Sequence, residues 1–470
     1  MSDDTAVRPA APESDATAAQ PATLSRELCG GRVWLRGDPG YDEHRLGWAL
    51  AADLMPAAIA FPHSVDEVSA VVRAAAAAGL RVAPQSTGHG GGPLAEQDLA
   101  RTVVVRLSEL TGVTIDAQAG TARVVGGTVW QDVVAAAAPY GFTAMHGSAG
   151  DVGVAGFALA GGISFYGREH GLSVNHVRAV ELVTPDGALV RASADENPEL
   201  FWAVRGAAGN FGVVTAVEIG LLPFTDTYAG MLLWDRERAP EVLRAWRDWT
   251  LDAPEQATTS FRIFSFPPLP ELPPFLAGRD VVCIDGSVRT DDEEAQRILA
   301  PLRALEPELD TFARIPSTAL TAVHMDPPFP TAAVSDHRVL SDLPEEAVET
   351  LLALVGPGTR SGLFFTELRQ LGGALGRAPE GAGALGRIEG TFALFTMSMT
   401  PVPEAVAPGL AATERVAERL DPWSEPLRLP TFSERVTPDR RLFGAAAERL
   451  VAEAVRVDPE GLFQANHSIR

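Results

Sequence analysis

The sequence predicts an α+β chain of two domains, and three observations carry that prediction. A strand–helix–strand pattern, "AAIAFPHSVDEVSAVVRAAAAAGLRVAPQ", opens the ordered part. Three glycine-rich stretches follow between residues 85 and 212. After Pro223 longer strands alternate with longer helices, which reads as an antiparallel sheet covered by helices on one face. On this reading residues 1–24 are a disordered tail, 25–225 an α/β unit, 226–425 a second domain and 426–470 a C-terminal segment.

Taken in order, the tail "MSDDTAVRPAAPESDATAAQPA" is rich in Ala, Pro and acid and lacks the basic and apolar regions of a secretion signal, so a cytoplasmic protein is expected. Ser64 and Glu67 make a capping box, Val65, Val68, Val72 and Ala75 line one helical face, and Gly79 closes the helix before the extended run from Arg81 to Pro84. "TVVVRLSEL" and "GVTIDAQAGTARVVGG" read as strands, the second as a hairpin around Gly120, and "TVWQDVVAAAAPYG" as a short helix ending near Gly141. "VRAVELVTPDGALVRAS" turns at Asp186-Gly187, a hairpin dipeptide. A helix starting at Asn197 leads through a glycine loop into "VVTAVEIGL". In the second domain "TYAGMLLW", "TTSFRIFSF", "DVVCIDGSV", "VSDHRVL", "GLFFTELRQL" and "TFALFTMSM" are strands. "APEVLRAWRDWTL", "EEAQRILAPLRAL" and "EEAVETLLALV" are helices, and "PPLPELPPF" is an extended connector. The ending reads as one amphipathic helix, a turn and an unstructured tail.

Composition excludes several function classes. The net charge of −23 with no basic run argues against nucleic acid and anionic membrane surfaces, and no apolar run is long enough to span a bilayer. Two distant cysteines, Cys29 and Cys283, make neither a disulfide framework nor a zinc site, and no Asp/Glu/His cluster suggests another metal. All 38 basic residues are arginine, which removes Walker-A phosphate binding, Schiff-base chemistry and pyridoxal-phosphate attachment.

A single glycine loop is structural about as often as functional, and the dinucleotide fingerprint fails here for want of a following helix and a spaced acid. This chain has three such loops, Gln85 to Gly92, Gly147 to Gly162 and Gly206 to Gly212, each beside a strand or helix end. Together they suggest main-chain cradles for one long anionic ligand with a pyrophosphate, held by N–H dipoles; FAD is the natural candidate. Within the first loop His89 has three readings: a satisfied loop histidine, a general base or a covalent attachment point.

"PQSTGHG" resembles the Arg-Ser-Gly-Gly-His loop of the berberine-bridge-enzyme-like FAD-linked oxidases, in the vanillyl-alcohol-oxidase/p-cresol-methylhydroxylase (PCMH) flavoprotein superfamily. "VGVAGFALAGGISFYGREHGLSVNHV", "NPELFWAVRGAAGNFGVVTAVEI" and "DPEGLFQANHSI" resemble its second loop, its third loop and its C-terminal signature, in the same order. The resemblance implies a PCMH-type fold, with an FAD domain made from both ends of the chain and a substrate domain inserted between. It places Gln85, Ser86, Thr87, Gly88, His89 and Gly90, then Ser148, Ala149, Val152, Gly153, Gly156, Gly161 and Gly162, then Asn210, Val214, Asn466 and Ser468 against FAD. It also implies that a ring nitrogen of His89 is joined to the flavin 8α-methyl, which raises the flavin potential and prevents cofactor loss. Ala149 stands where many members carry a second, cysteinyl link, so a single histidyl link of the 6-hydroxynicotine-oxidase type is expected and bulky oligosaccharides are disfavoured. Val152 matches a position at which valine goes with oxidases; plain apolar packing is the other reading.

The family's usual tyrosine base is missing, because the corresponding region reads "LPTFSERV" and no tyrosine follows Tyr228. Glu367 and His337, both on strands, are the candidate bases; a plain Glu367–Arg369 surface pair and a structural histidine are the competing readings. Gln370, on the opposite face from Glu367, is an alternative ligand contact that excludes Glu367. His467 stands in place of a glutamine near the flavin carbonyl region. The expected activity is an FAD-dependent oxidase of secondary metabolism. It would take hydride from a small alcohol, amine or natural-product intermediate and pass electrons to O₂, giving H₂O₂. A monomer or homodimer is expected. A flavin-dependent oxygenase or cyclising enzyme, and a redox-silent protein that only binds or templates a ligand, are the alternatives.

Overall fold

The computed structural model describes residues 24–270 and 272–470. The expected N-terminal tail, apart from Leu24, lies outside the described residues. The first sheet contains β1 (Val33–Leu35), β2 (Ala58–Ala60), β3 (Arg81–Gln85) and β4 (Thr102–Arg106) in the order β1-β2-β4-β3. Both β2 and β3 run parallel to β4, as a strand–helix–strand crossover requires. Helix α1 (Val65–Ala77) makes that crossover. The Ser64 hydroxyl accepts from the Glu67 amide at its start, and Val68, Val71, Val72 and Ala75 pack on the sheet.

Five antiparallel strands form the second sheet: β5 (Val113–Asp116), β6 (Thr121–Val125), β7 (Val177–Val183), β8 (Leu189–Ser193) and β9 (Val213–Gly220), in the order β5-β6-β9-β7-β8. The turns at Gly120 (φ +64°) and Gly187 (φ +75°) use the left-handed backbone that glycine adopts without strain. Helices α2 (Trp130–Ala137), α3 (Val154–Leu159) and α4 (Pro198–Ala207) share one core with this sheet.

The third sheet has eight strands, every pairing antiparallel. They are β10 (Asp226–Asp235), β11 (Ala257–Ser265), β12 (Asp280–Val288), β13 (Leu309–Asp310), β14 (Ala313–Pro316), β15 (Ala333–Leu340), β16 (Phe365–Gln370) and β17 (Phe392–Met399). Their order is β13-β10-β12-β11-β16-β17-β15, with β14 beside β10. Helices α5 (Ala239–Asp252), α6 (Asp292–Arg303), α7 (Glu345–Val355) and α8 (Val406–Arg419) cover one face, burying Trp234, Trp246, Phe261, Ile284 and Leu394 between them. The sequence analysis did not name α8, whose buried stripe is Gly409, Ala412, Thr413, Val416 and Ala417, mostly small residues without the large aliphatic side chains that mark the other helices.

The chain's end corrects one expectation. After the helix Ala447–Val457 the last residues are not an unstructured tail. The Asp458 carboxylate accepts from the Leu462 and Phe463 amides, and both side chains are buried. Val82 of β3 donates its amide to Leu462 and accepts from Gln464, so the C-terminus is fastened to the first sheet. Among the described residues no helix is long and apolar enough to cross a membrane.

Candidate active site

Period-two alternation gives the large sheet a second face, away from its helices. Arg262 and Phe264 of β11, Asp285 of β12, Phe365, Glu367 and Arg369 of β16, and Phe395 and Met397 of β17 project from it. This face roofs a cleft of about 420 Å³ whose floor is the glycine-rich loops, a size typical of small-molecule sites.

Most of the expected residues meet on that floor. Gln85, Ser86, Thr87, Gly88, His89 and Gly90 line it, as do Ser148, Ala149, Val152, Gly153, Gly156, Asn210, Val214 and Asn466. Asn210 is a strut. Its Oδ1 accepts from the Ile469 amide and its Nδ2 donates to the Ala207 and His467 carbonyls, tying the third loop to the C-terminus. Three expected contacts are absent from the lining. Gly161 (φ +110°) and Gly162 (φ +66°) serve the backbone after α3, where a Cβ would strike Leu385 or Phe157. Ser468 is exposed and bonds the Arg470 carbonyl.

His89 is set firmly. Its Nδ1 lies 2.8 Å from the Thr87 hydroxyl, and its ring stacks on Trp48 with centroids 4.1 Å apart. Its Nε2 is 3.6 Å from Asp151, which accepts from the Trp48 indole at 2.7 Å. Burial alone would raise the Asp151 carboxyl, but His89 and Trp48 outweigh it and hold the group below its ordinary value. Trp48 carried no signal in the sequence, since it belongs to no glycine loop, and Asp151, although inside the second loop, was not singled out there.

The floor is chemically incomplete on its own. The Gln85 amide, the Ser86 hydroxyl, His89 Nε2, Asn466 Oδ1 and His467 Nδ1 are buried without hydrogen-bond partners. Buried polar atoms are rarely left so, and five side chains with such atoms around one cleft point to partners supplied by a ligand. Gly156 leaves open space where a Cβ would stand, while a Cβ on Gly153 would strike the Ser86 side chain. Small residues here keep main chain close to whatever the cleft holds, and with no lysine that ligand is met by amides and neutral side chains. These features fit FAD.

The roof is the opposite. Glu367 is 1% exposed and its carboxylate accepts from Arg369 Nε at 2.7 Å. The pair exists, but it is buried at the cleft rather than on the surface. Burial would push the Glu367 carboxyl up; Arg369 and His324 outweigh it and hold it well below the usual carboxylate range. Gln370 points to the helical side, within reach of Thr259 and the Thr250 carbonyl, so the cleft belongs to Glu367. His337 is removed from the candidate bases. It lies outside the cleft lining, its Nε2 accepts from the Leu429 amide at 2.8 Å, and burial drives its pKa well below the ordinary value. Phe432, at the position of the missing tyrosine, is part of the wall.

Around Glu367 the structure adds Arg262, Asp285, His324 and Asp326. Arg262 pairs with Asp285 and donates to the His324 carbonyl at 2.8 Å; His324 Nδ1 is 2.8 Å from Asp285 Oδ2. Asp326 accepts from the Ser148 hydroxyl at 2.8 Å, bridging roof and floor. Arg262 and Asp285 had a legible signal, a charge inside an otherwise apolar strand; His324, in an irregular segment, had none. Phe264, Phe364, Phe365, Phe395 and Phe432 make the rest of the wall apolar.

Residues 56–193 match a family model described as an FAD binding domain. This is an FAD binding domain, in a chain with the fold of BBE-like proteins. The chain is 37% identical over 213 residues to (R)-6-hydroxynicotine oxidase of Paenarthrobacter nicotinovorans, covering 45% of each. It is 34% identical over 204 residues to xylooligosaccharide oxidase of Thermothelomyces thermophilus, covering 42% of this chain and 41% of the other. The matched part thus spans less than half the length of either relative. Over the whole fold, the wild-type BBE-like 1 protein of Physcomitrella patens superposes with a TM-score of 0.80 at 19% identity, covering 93% of this chain and 96% of that one. The mixed helix-and-sheet architecture with its large antiparallel sheet is therefore the fold of that BBE-like protein.

Proposed function

We propose that this protein is an FAD-dependent oxidase with the flavin held covalently by His89, acting on a small hydroxyl- or amine-bearing substrate under the large sheet. The observation that carries the reading is the placement of the buried carboxylate of Glu367, held well below its ordinary pKa by Arg369 and His324, on the sheet wall facing the glycine-loop floor. When bound, FAD supplies a hydride acceptor that O₂ can reoxidise.

The chain's own residues divide the remaining work. The loops Gln85–Gly90 and Gly147–Gly156, with Asn210, Val214 and Asn466, would hold the cofactor, and their unpartnered polar atoms would find partners there. Ala149 offers no thiol, and Cys29 and Cys283 are buried elsewhere, so His89 is the single attachment point. Glu367 accepts the heteroatom proton as the substrate is oxidised, and Arg369 fixes its carboxylate in place. The phenylalanine wall excludes water and favours a flat, apolar substrate over a sugar, whose many hydroxyls would face rings that cannot bond them. A relative named for 6-hydroxynicotine fits that wall better than one named for xylooligosaccharides. Val152 on the floor is the residue that would leave O₂ access.

Acid precipitation of the purified protein tests the cofactor link: yellow colour should stay with the pellet, and His89→Ala should release it. Anaerobic mixing with 6-hydroxynicotine, aromatic alcohols and xylobiose tests the activity. Bleaching by an aromatic alcohol or amine supports the reading, and no bleaching by any of them, or bleaching by xylobiose alone, overturns it.

A further inference from the structure

Attachment of a flavin to His89 needs one ring nitrogen with a free lone pair, and a neighbouring side chain is placed to decide which nitrogen that is. We infer that Asp151 is a positioning residue for the attachment, holding the His89 proton on Nε2, leaving the Nδ1 lone pair free to bond, and stabilising the charge the ring then acquires; this rests on the reading of His89 as the attachment point.

The two edges of the ring meet groups of different kinds. Nδ1 lies 2.8 Å from the Thr87 hydroxyl, which can donate or accept, so that contact fixes no tautomer. Nε2 is buried, has no hydrogen-bond partner and faces Asp151 Oδ1 at 3.6 Å. A carboxylate only accepts, and it repels a lone pair turned toward it. The proton therefore stays on Nε2, the Thr87 hydroxyl donates to Nδ1, and the nucleophilic lone pair is on Nδ1.

Asp151 is held for this role from two sides. The Gln131 amide donates to the Gly150 carbonyl at 2.8 Å and the Trp130 amide to the Val152 carbonyl at 3.0 Å, so the start of α2 pins the residues on either side of it. The Trp48 indole donates to Asp151 Oδ2 at 2.7 Å while stacking on the His89 ring, and the Trp48 amide donates to the Thr87 carbonyl at 3.0 Å. One tryptophan thus fixes ring and carboxylate together. Among the described residues no arginine pairs with Asp151, so its charge is left to act on the ring. Burial opposes that charge, but His89 and Trp48 outweigh burial and hold the carboxyl below its ordinary value, which keeps it ionised at neutral pH.

The step balances with O₂ as the oxidant. The Nδ1 lone pair forms a bond to the 8α carbon and one C–H bond of that methyl breaks. Its electron pair stays in the flavin ring system, and its proton is taken up there through solvent. The imidazole ends as a cation that keeps its Nε2–H toward Asp151. The two electrons then leave, with that proton and one more from solvent, to O₂ as H₂O₂. No proton passes to Asp151; its part is that of the aspartate in a Ser-His-Asp triad, which sets the tautomer and stabilises the imidazolium.

The test follows attachment instead of turnover. Full-length protein from riboflavin-starved cells is mixed with FAD in air, and the fraction of flavin that stays with the acid pellet is read against time. In Asp151→Asn the one side-chain oxygen stays on Trp48 and the NH₂ group faces Nε2, which moves the ring proton to Nδ1 and removes the lone pair. Attachment is expected to slow by about tenfold or more, while the dissociation constant for FAD, measured on the His89→Ala background with and without Asp151→Asn, changes by less than about twofold. Asp151→Glu and Asp151→Gln repeat the comparison of charge at a second length, with Glu attaching faster, and decide the matter if Asp151→Asn does not fold. Attachment by Asp151→Asn at the wild-type rate overturns the inference and spares the covalent reading. A parallel loss of FAD affinity also overturns it, since a merely structural aspartate gives that result. A wild-type pellet without colour overturns both.

Discussion

The two walls of the cleft are built on contrary principles. On the floor, polar atoms of Gln85, Ser86, His89, Asn466 and His467 lack partners within the chain, and glycine keeps side chains out of the way. On the roof, Arg262, Asp285, His324, Glu367 and Arg369 pair with one another. A surface whose hydrogen bonds are incomplete is made to be finished by something else, whereas a surface of mutually paired charges, even with Arg262 Nε and Asp285 Oδ1 left unbonded, acts chiefly through its electrostatics. The floor therefore reads as cofactor site and the roof as the chemical wall.

That contrast makes the roof sensitive to single charges. The largest effect is expected from Glu367→Gln. Removing the proposed proton acceptor while keeping its shape should lower kcat by about 10²–10⁴-fold, with the protein still yellow. Loss of colour together with activity would mean that the roof holds cofactor too, and the division between the walls would fail. Asp285→Asn is next. It is fully buried and is the common partner of Arg262 and His324, so its neutralisation strands buried positive charge. A loss of about 3–5 kcal/mol in denaturant unfolding of the full chain is expected, the range for breaking a buried pair from one side.

The roof should also mark the pH dependence of stability. The folded His324 ionises at about 9 against an ordinary 6.5, so its stabilising contribution is complete below pH 6.5 and is lost as pH rises through 9. Glu434, raised by burial from 4.5 to about 7, adds a loss in the same direction in a lower window, as pH climbs from 4.5 through 7. The thermal midpoint should therefore fall between pH 6.5 and 9, and His324→Gln should flatten that upper part only. A midpoint that rises across this window would contradict the paired state of the roof.

The walls also differ in how far they could be read from the chain. Gln85 to Gly90 are contiguous, and their residue types are dictated locally by a strand end, a left-handed Gly88 and a backbone that must lie open. Such constraints leave a motif. The roof draws Arg262, Asp285, His324 and Glu367 from four separate segments, and what joins them is strand register, Arg262 opposite Glu367 and Ser260 between Asp285 and Arg369. Register across eight strands is not encoded in any short stretch. Period-two alternation was enough to put Glu367 and Arg369 on one face, but not to show that the face is buried or that His324 completes it. His337 failed for a related reason. Its strand was read correctly, yet the Leu429 amide that occupies its ring nitrogen comes from the distant C-terminal segment. The third loop and the C-terminal signature were legible as motifs, while the Asn210 bonds to His467 and Ile469, which make them one wall, depend on tertiary contact.

The smallest expected effect tests the floor. Ser86 has a hydroxyl that is buried without a partner, so Ser86→Ala removes no hydrogen bond from the cofactor-free chain. In that form, prepared from a flavin-free His89→Ala background, the substitution should leave unfolding within about 0.5 kcal/mol of its parent, because only a made bond costs stability when deleted. Where FAD is added back to the same background, retention should weaken by about 0.5–1.5 kcal/mol, roughly a factor of two to ten in dissociation constant, since the hydroxyl now has a partner to lose. Equal effects in both forms would show that the hydroxyl is satisfied within the protein. The floor would then be as self-contained as the roof, and the contrast between the two walls would disappear.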